Sequence, residues 1–275
     1  MNFLLRGLFT LIFIINSIAC IPPPKHGNDN SDYQPRLRLP EWFINKPQID
    51  GIKLAFAYSP NYLNKKKEKE NLLLSAARNF KIQSKTHIIV LQNSQKYSGY
   101  YSGGEYVNEL DPEVNTNGLA DKYSIISKYK DTNWILAIVA ETQQVKQYPS
   151  IRMSTRLNYI YNSSPPKWAK NPPVQKGFLF GVGLALSYCS PEEAWIVAEQ
   201  NARADIALQK TITIYSRISH TLQSFIGTAE VERKAVSKVI LNNVFIIKHG
   251  YCDANGTYYA LARMKEEDAA LRKPD

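Results

Sequence analysis

Apolar residues recur along this chain with two different periods, and each change of period marks a new element. Residues 53–59 hold a compact apolar and aromatic run, Leu54-Ala55-Phe56-Ala57-Tyr58, closed by Pro60-Asn61, which predicts a strand. From Asn64 to about Lys85 the apolar positions Leu73, Ala76, Ala77 and Phe80 fall three and four apart, as on one stripe of a helix. Tyr123–Tyr129 and Asn133–Ala140 predict two strands, with a turn at Lys130-Asp131-Thr132. The same succession then returns. Phe178–Leu186 predicts a strand. Ser190-Pro191-Glu192-Glu193 supplies an N-cap, a proline at the first helical position and acids in the first turn. That helix is expected to reach about Tyr215, with Val197, Ala204, Leu208 and Ile212 as its buried stripe and Ala198 and Ala202 beside it. Glu230–Asn242 reads as a second, shorter helix. Val244–Tyr251 and Thr257–Met264 predict strands joined through Asn255-Gly256, a favoured hairpin dipeptide.

The recurrence extends to individual residues. Pro40-Glu41-Trp42 and Gly51 return as Pro166-Lys167-Trp168 and Gly177, each 126 positions later. Ala77-Arg78 returns as Ala202-Arg203 at an offset of 125, and Trp134-Ile135-Leu136-Ala137 as Tyr258-Tyr259-Ala260-Leu261 at 124. A period this long is the size of a small domain. The expected fold is therefore α+β: two tandem small domains, each a three-stranded antiparallel sheet covered by a long helix in the order β-α-β-β, the second with an extra short helix. The expected bounds are 40–146 and 166–267, with a linker at 147–165 and a tail at 268–275. Each sheet has a second face that needs cover, from the other domain or from another subunit. Gly181-Val182-Gly183 lies within a strand, where paired glycines admit the close approach of another backbone. The first copy has Ala55 and Ala57 there.

The N-terminus has a different pattern. Arg6 is followed by an apolar core from Leu8 to Ile15, and Ser17-Ile18-Ala19-Cys20 closes it. These are the regions of a secretory signal peptide over 1–19, with a core too short for a comfortable membrane span. The final four residues resemble a bacterial lipobox, with Ser17 where Leu is usual. That resemblance implies cleavage before Cys20 and lipid on its sulfur. Several acyl chains, at about 0.8 kcal/mol per buried methylene, make such an anchor nearly permanent. Ile21 follows the cysteine, and the absence of an aspartate there points to the outer membrane. Residues 20–39 then read as the lipidated cysteine and a flexible tether, rich in Pro and polar residues.

Composition adds little chemistry. Hydrophobic residues make up 44% of the chain, enough for a packed core. The formal net charge of +10 is spread along the sequence and favours anionic surfaces. No nucleic-acid motif accompanies it, so the surfaces expected are lipid head groups, glycans or cell wall. Lys65-Lys66-Lys67-Glu68-Lys69-Glu70 is either a solvated helix face or a contact for head groups. Cys189 and Cys252 permit one disulfide or remain as two buried thiols. His26, His87, His220 and His249 are scattered. His249 and Cys252 are three apart in one strand, on opposite faces, so no metal site is expected there. No catalytic residue is assigned, and no cofactor beyond the lipid on Cys20. The polar stretch 97–106 reads as a long loop whose tyrosines Tyr97, Tyr100, Tyr101 and Tyr106 are candidates for stacking on sugar rings or packing on a partner.

The Pro-x-Trp opening, the aromatic-glycine strand, the long Ala- and Arg-containing helix and the closing Tyr259-Ala260-Leu261-Ala262-Arg263-Met264 resemble the Lpp-twenty lipoprotein family, which includes FlgP-like flagellar lipoproteins. The likeness is fullest from Pro166 to Met264. It implies small α+β domains on outer-membrane lipoproteins, some assembled into rings or discs around a flagellar motor. The function expected is thus a structural or interaction module of the bacterial envelope, periplasmic or surface-exposed. Its partners are the membrane through the lipid, other envelope proteins, and itself as a homo-oligomer. The alternative is a binder of glycan or peptidoglycan through residues 97–106.

Overall fold

The computed structural model describes residues 37–97, 100–148, 153–154, 156–159, 163–186, 190–222 and 233–272. β1 (Arg38–Pro40) leads into a one-turn helix, α1 (Glu41–Ile44). The first repeat continues with β2 (Leu54–Pro60), α2 (Lys65–Ser84), β3 (Lys85–Tyr97), β4 (Tyr100–Glu109), α3 (Leu119–Lys122), β5 (Tyr123–Lys130), β6 (Trp134–Glu141) and α4 (Thr142–Gln147). The second comprises β7 (Leu157–Tyr159), α5 (Lys167–Lys170), β8 (Phe178–Ala185), α6 (Pro191–Leu222), β9 (Arg233–Asn242), β10 (Phe245–Cys252), β11 (Thr257–Lys265) and β12 (Ala269–Arg272). The fold is α+β.

The sequence repeat is also a structural one. Antiparallel three-stranded sheets form in the orders β2-β6-β5 and β8-β11-β10. Gly51 and Gly177 both adopt left-handed φ, +76° and +78°, the region that favours glycine. Both hairpins slip register by one residue at matching places, between Ile125 and Ser127 on β5 and between Ile246 and Lys248 on β10. Such bulges bend a strand and raise its twist.

Two sequence expectations fail. Glu230–Asn242 is not a short helix: Arg233–Asn242 is strand β9. Its Val239 and Leu241 are buried while Lys238 is exposed, a period of two that the β-branched run 239–240 also favours. The tyrosine-rich stretch is not a loop: it is the end of the β3–β4 hairpin, with Tyr97 paired to Tyr100, Lys96 to Tyr101 and Leu91 to Tyr106. These segments meet in a sheet that composition did not foretell, ordered β12-β9-β3-β4. β3 comes from the first repeat and β9 from the second, paired antiparallel from Lys85↔Asn242 to Ser94↔Arg233. Part of the expected linker is likewise structured, since β7 pairs with β1. The expected tail contributes β12.

The first repeat's sheet is buried on both faces. Ala55 and Ala57, with Ile135, Ala137 and Val139, face Leu72, Ala76 and Phe80 of α2. On the other face Leu54, Phe56, Tyr58, Leu136 and Ile138 join one cluster with Trp195, Ala198 and Ile206 of α6. The second repeat therefore supplies the missing cover. Phe43 of α1 is wedged at the centre, 5.2 Å from Phe56 and 5.0 Å from Trp195 between ring centroids. Burying each such ring contributes roughly 1.5–3 kcal/mol.

The glycines of β8 behave as the sequence suggests. A Cβ on Gly181 would lie 2.1 Å from the Ala202 carbonyl oxygen, and one on Gly183 would lie 1.9 Å from that of Ala198. Helix α6 thus rests directly on the strand. Its buried face is formed by Ala194, Trp195, Ala198, Ala202, Ile206 and Ala207 rather than by the Val197-Ala204-Leu208 stripe, whose members are only part-buried. The small residues win because only they fit against a backbone at that distance. Ser190 caps the helix as expected, its Oγ accepting from the Glu193 N–H at 3.4 Å.

Both long helices also shield a sheet edge. β2 and β8 are edge strands. Asn79 Nδ2 donates to the Phe56 carbonyl at 2.8 Å, and Ser75 Oγ accepts from the Tyr58 N–H at 3.0 Å. On β8 the same service comes from Asn201, Asp205 and Gln209, which bond Leu184 O, Val182 N–H and Phe180 O at 2.8, 2.9 and 2.9 Å. Four-residue spacing keeps them on one helix face, and their bonds satisfy backbone groups that an open edge would leave to other chains.

Candidate functional site

The stripe of α6 that faces the first repeat carries two charges one turn apart, Glu199 and Arg203. Both are buried, each about 3% exposed. Arg203 reaches Glu109 at the end of β4 with two bonds, Nε–Oε1 at 2.6 Å and an NH2–Oε2 bond at 2.7 Å. This is the fork geometry that makes guanidinium–carboxylate pairs strong. Thr86 Oγ1 on β3 donates to the same Glu109 at 2.9 Å. Glu199 lies 3.9 Å from Arg203 and accepts from the Tyr58 hydroxyl of β2 at 2.5 Å. It also meets His249 of β10, with Nε2 at 2.9 Å.

His249 is fixed on both sides. Its Nδ1 lies 2.9 Å from the Phe43 carbonyl oxygen, which can only accept, and its Nε2 faces a carboxylate. The Nδ1 can donate to that carbonyl while Nε2 pairs with the carboxylate, so the ring is held at both ends. The ring is stacked on Phe43, with centroids 3.9 Å apart at 12°, while Trp195 and Phe56 meet it at 5.1 and 5.0 Å.

Glu109, Arg203 and Glu199 alternate in sign, and His249 closes the row on Glu199. That alternation decides whether such burial is tolerable, since an unpaired buried charge costs several kcal/mol. Burial disfavours ionised Glu199, but the His249 hydrogen bond and charge, with Arg203 and Tyr58, outweigh it and hold its carboxyl below the usual range. Burial likewise opposes charged Arg203, and Glu109 reverses the balance, so its pKa rises. Burial first, then Glu199, pushes the Tyr58 hydroxyl well above 10, so it stays a donor. The chain links β4 and β2 of the first repeat to α6 and β10 of the second. Its polar atoms bond one another, which suits it to clamping the repeats together.

Beside this network lies a cavity of about 420 Å³. The segment after α1 forms one wall: the Lys46 N–H donates to the Ile247 carbonyl at 3.0 Å, laying that segment along β10. Ile49, Ile52, Phe245 and Ile247 make the lining mostly apolar, while Lys46, Lys53 and Arg263 bring three cations against one acid, Asp50. The Lys46 side chain is part-buried. Nζ lies 5.3 Å from the Phe56 ring centroid and 5.8 Å from that of Phe245. With the Gln83 amide turned so that both its ends are satisfied, Oε1 accepts from Nζ at 3.2 Å and Nε2 donates to the Leu54 carbonyl at 3.0 Å. Burial lowers the Lys46 pKa to about 8, against a smaller opposing pull from Glu199.

The residues singled out from sequence lie elsewhere. Cys20 and Cys189 are outside the described residues. Cys252 is a buried free thiol, and its candidate disulfide partner Cys189 lies outside the described residues. Tyr97, Tyr100, Tyr101 and Tyr106 share the β3–β4 hairpin, Tyr97 and Tyr100 at its turn end. The run at 65–70 is not wholly solvated: Glu68 is buried and accepts from Lys65 at 2.7 Å and Lys128 at 2.9 Å, of which Lys65 does most to hold its carboxyl below the usual range. Among the described residues there is no group of three or more His, Cys, Asp or Glu placed to hold a metal, and no helix long and apolar enough to cross a membrane. Sequence reading passed over Tyr58, Glu109 and Glu199, and gave Arg203 and His249 no role. The one available signal was Glu199 and Arg203 at i and i+4 among Ala198, Ala202 and Ile206. Compared with family models, curated proteins and solved structures, the chain matches none.

Proposed function

We propose that this protein is a lipid-anchored module of a bacterial cell envelope, held at the outer membrane through Cys20 and acting through contacts rather than turnover. The observation that carries the reading is the Glu109–Arg203–Glu199–His249 chain, which spends the buried ionisable groups on joining the two repeats into one body. Contacts then fall to the surface, and β4 is the best-suited part of it. This ten-residue strand forms one edge of the four-stranded sheet and contains neither proline nor lysine, the residues that commonly block edge pairing. A second copy of the chain adding its own β4 would extend the sheet and close a two-fold homodimer.

Two measurements test this. Cys20→Ala should leave the membrane fraction, and retention there would sink the anchor. Light scattering on the full chain in lipid nanodiscs should find more than one copy per particle at high loading. A strict monomer would overturn self-assembly. A second reading, binding to peptidoglycan, is favoured by the four tyrosines gathered in one hairpin. Replacing Tyr97, Tyr100 and Tyr101 by Ala should abolish retention on purified cell wall if it holds.

A further inference from the structure

We propose that the cavity between the segment after α1 and strand β10 binds a small amphipathic carboxylate, with Lys46 as the group that receives its head. Lys46 is part-buried, and its ammonium, with three N–H bonds, has one hydrogen-bond acceptor, Gln83 Oε1. Among the described residues no carboxylate lies within ion-pair distance of it. It also lines a cavity of about 420 Å³, within the range of small-molecule sites. A desolvated cation without a counter-ion is costly, and an anion entering the cavity relieves that cost.

The remaining lining sets the rest of the ligand. Ile49, Ile52 and Phe245 offer an apolar wall, which an alkyl or aryl tail would cover. Arg263, whose guanidinium carbon lies 5.2 Å from the Phe178 ring centroid, and exposed Lys53 add positive potential and steer anions inward. The net positive lining favours an anionic ligand over a neutral or cationic one of the same shape. This inference is independent of how the protein is anchored.

Hexanoate is a suitable probe. The test titrates it into the full chain in lipid nanodiscs, with empty nanodiscs subtracted and hexanol and hexylamine as controls. Hexanoate should bind saturably and neither control should. Lys46→Met, which keeps the stem and removes the charge, should weaken binding at least tenfold, and Arg263→Gln should weaken it by less. Should Lys46→Met unfold the protein, the NMR signal of the Lys46 Cε in the unaltered chain decides instead, since a bound carboxylate must raise its titration midpoint. Hexanol binding as well as hexanoate, an unchanged affinity in Lys46→Met, or a Lys46 midpoint that ligand does not move would each overturn the proposal.

Discussion

Arg203 of the second repeat grips Glu109 of the first through two parallel N–H···O bonds, 2.6 and 2.7 Å long, in a site from which water is excluded. The residues are 94 positions apart in sequence. Their pairing depends on α6 lying across the end of β4.

Removing one partner should therefore cost more than removing both. Arg203→Met leaves Glu109 buried and uncompensated, and should destabilise by about 3–5 kcal/mol. The double change Arg203→Met, Glu109→Leu should recover a large part of that loss. Urea midpoints of the two single variants and the double variant give the coupling directly.

Acid should open the same junction. The Glu199 carboxyl is held below its ordinary value, so the unfolded chain takes up this proton first as pH falls. The associated stability is present above about pH 4.5, the unfolded value, and is lost as pH drops through the native one. Glu199→Gln should already be weaker at pH 7, and its deficit against the unaltered chain should shrink between pH 5 and 3. Chemical denaturation across that range measures the difference, and a deficit independent of pH would refute the assignment.

Lys46 gives a pH dependence at the other end. Its native pKa is about 8 against an ordinary 10.5, so the unfolded chain binds more protons between those values. Stability from this group should rise with pH across the window from about 8 to 10.5. Lys46→Met should remove that rise, read as the Tm difference between the two proteins from pH 7 to 10.

The glycines of β8 should tolerate no side chain. Gly183→Ala drives a Cβ into the Ala198 carbonyl, and both atoms belong to paired secondary structure. The strand and α6 must separate, at a cost of about 3 kcal/mol or more. Ala57→Gly at the matching place in the first repeat should cost only about 1 kcal/mol. Thermal denaturation of both separates a tight contact from general sensitivity.

Local patterns in the sequence carried as far as neighbours within one repeat. The stripe Leu73-Ala76-Ala77-Phe80, the Ser190-Pro191 cap, the Asn255-Gly256 turn and Gly181-Val182-Gly183 each encode their geometry in adjacent residues, and each appears where expected. β9 did not, because Ala235-Val236 and Val239-Ile240 fit helical spacing as well as alternation, and only pairing with β3 decides between them. Glu199 and His249 were illegible for a related reason. Each reads alone as an ordinary polar residue, and the partners that give them a role come from α1, β2 and each other, up to 206 positions away.

The ladder between β3 and β9 joins residues 139 to 157 positions apart. During synthesis the first repeat therefore emerges with one long flank of β3 unpaired, and it stays so until β9 follows. Pairing over that distance is slow to nucleate, and a bare strand in the interval invites capture by neighbouring chains. The protein thus has a vulnerable period built into its topology. A holding chaperone that occupies β3 until the C-terminal half arrives would shorten that exposure, and the yield of the full chain should depend on such a chaperone.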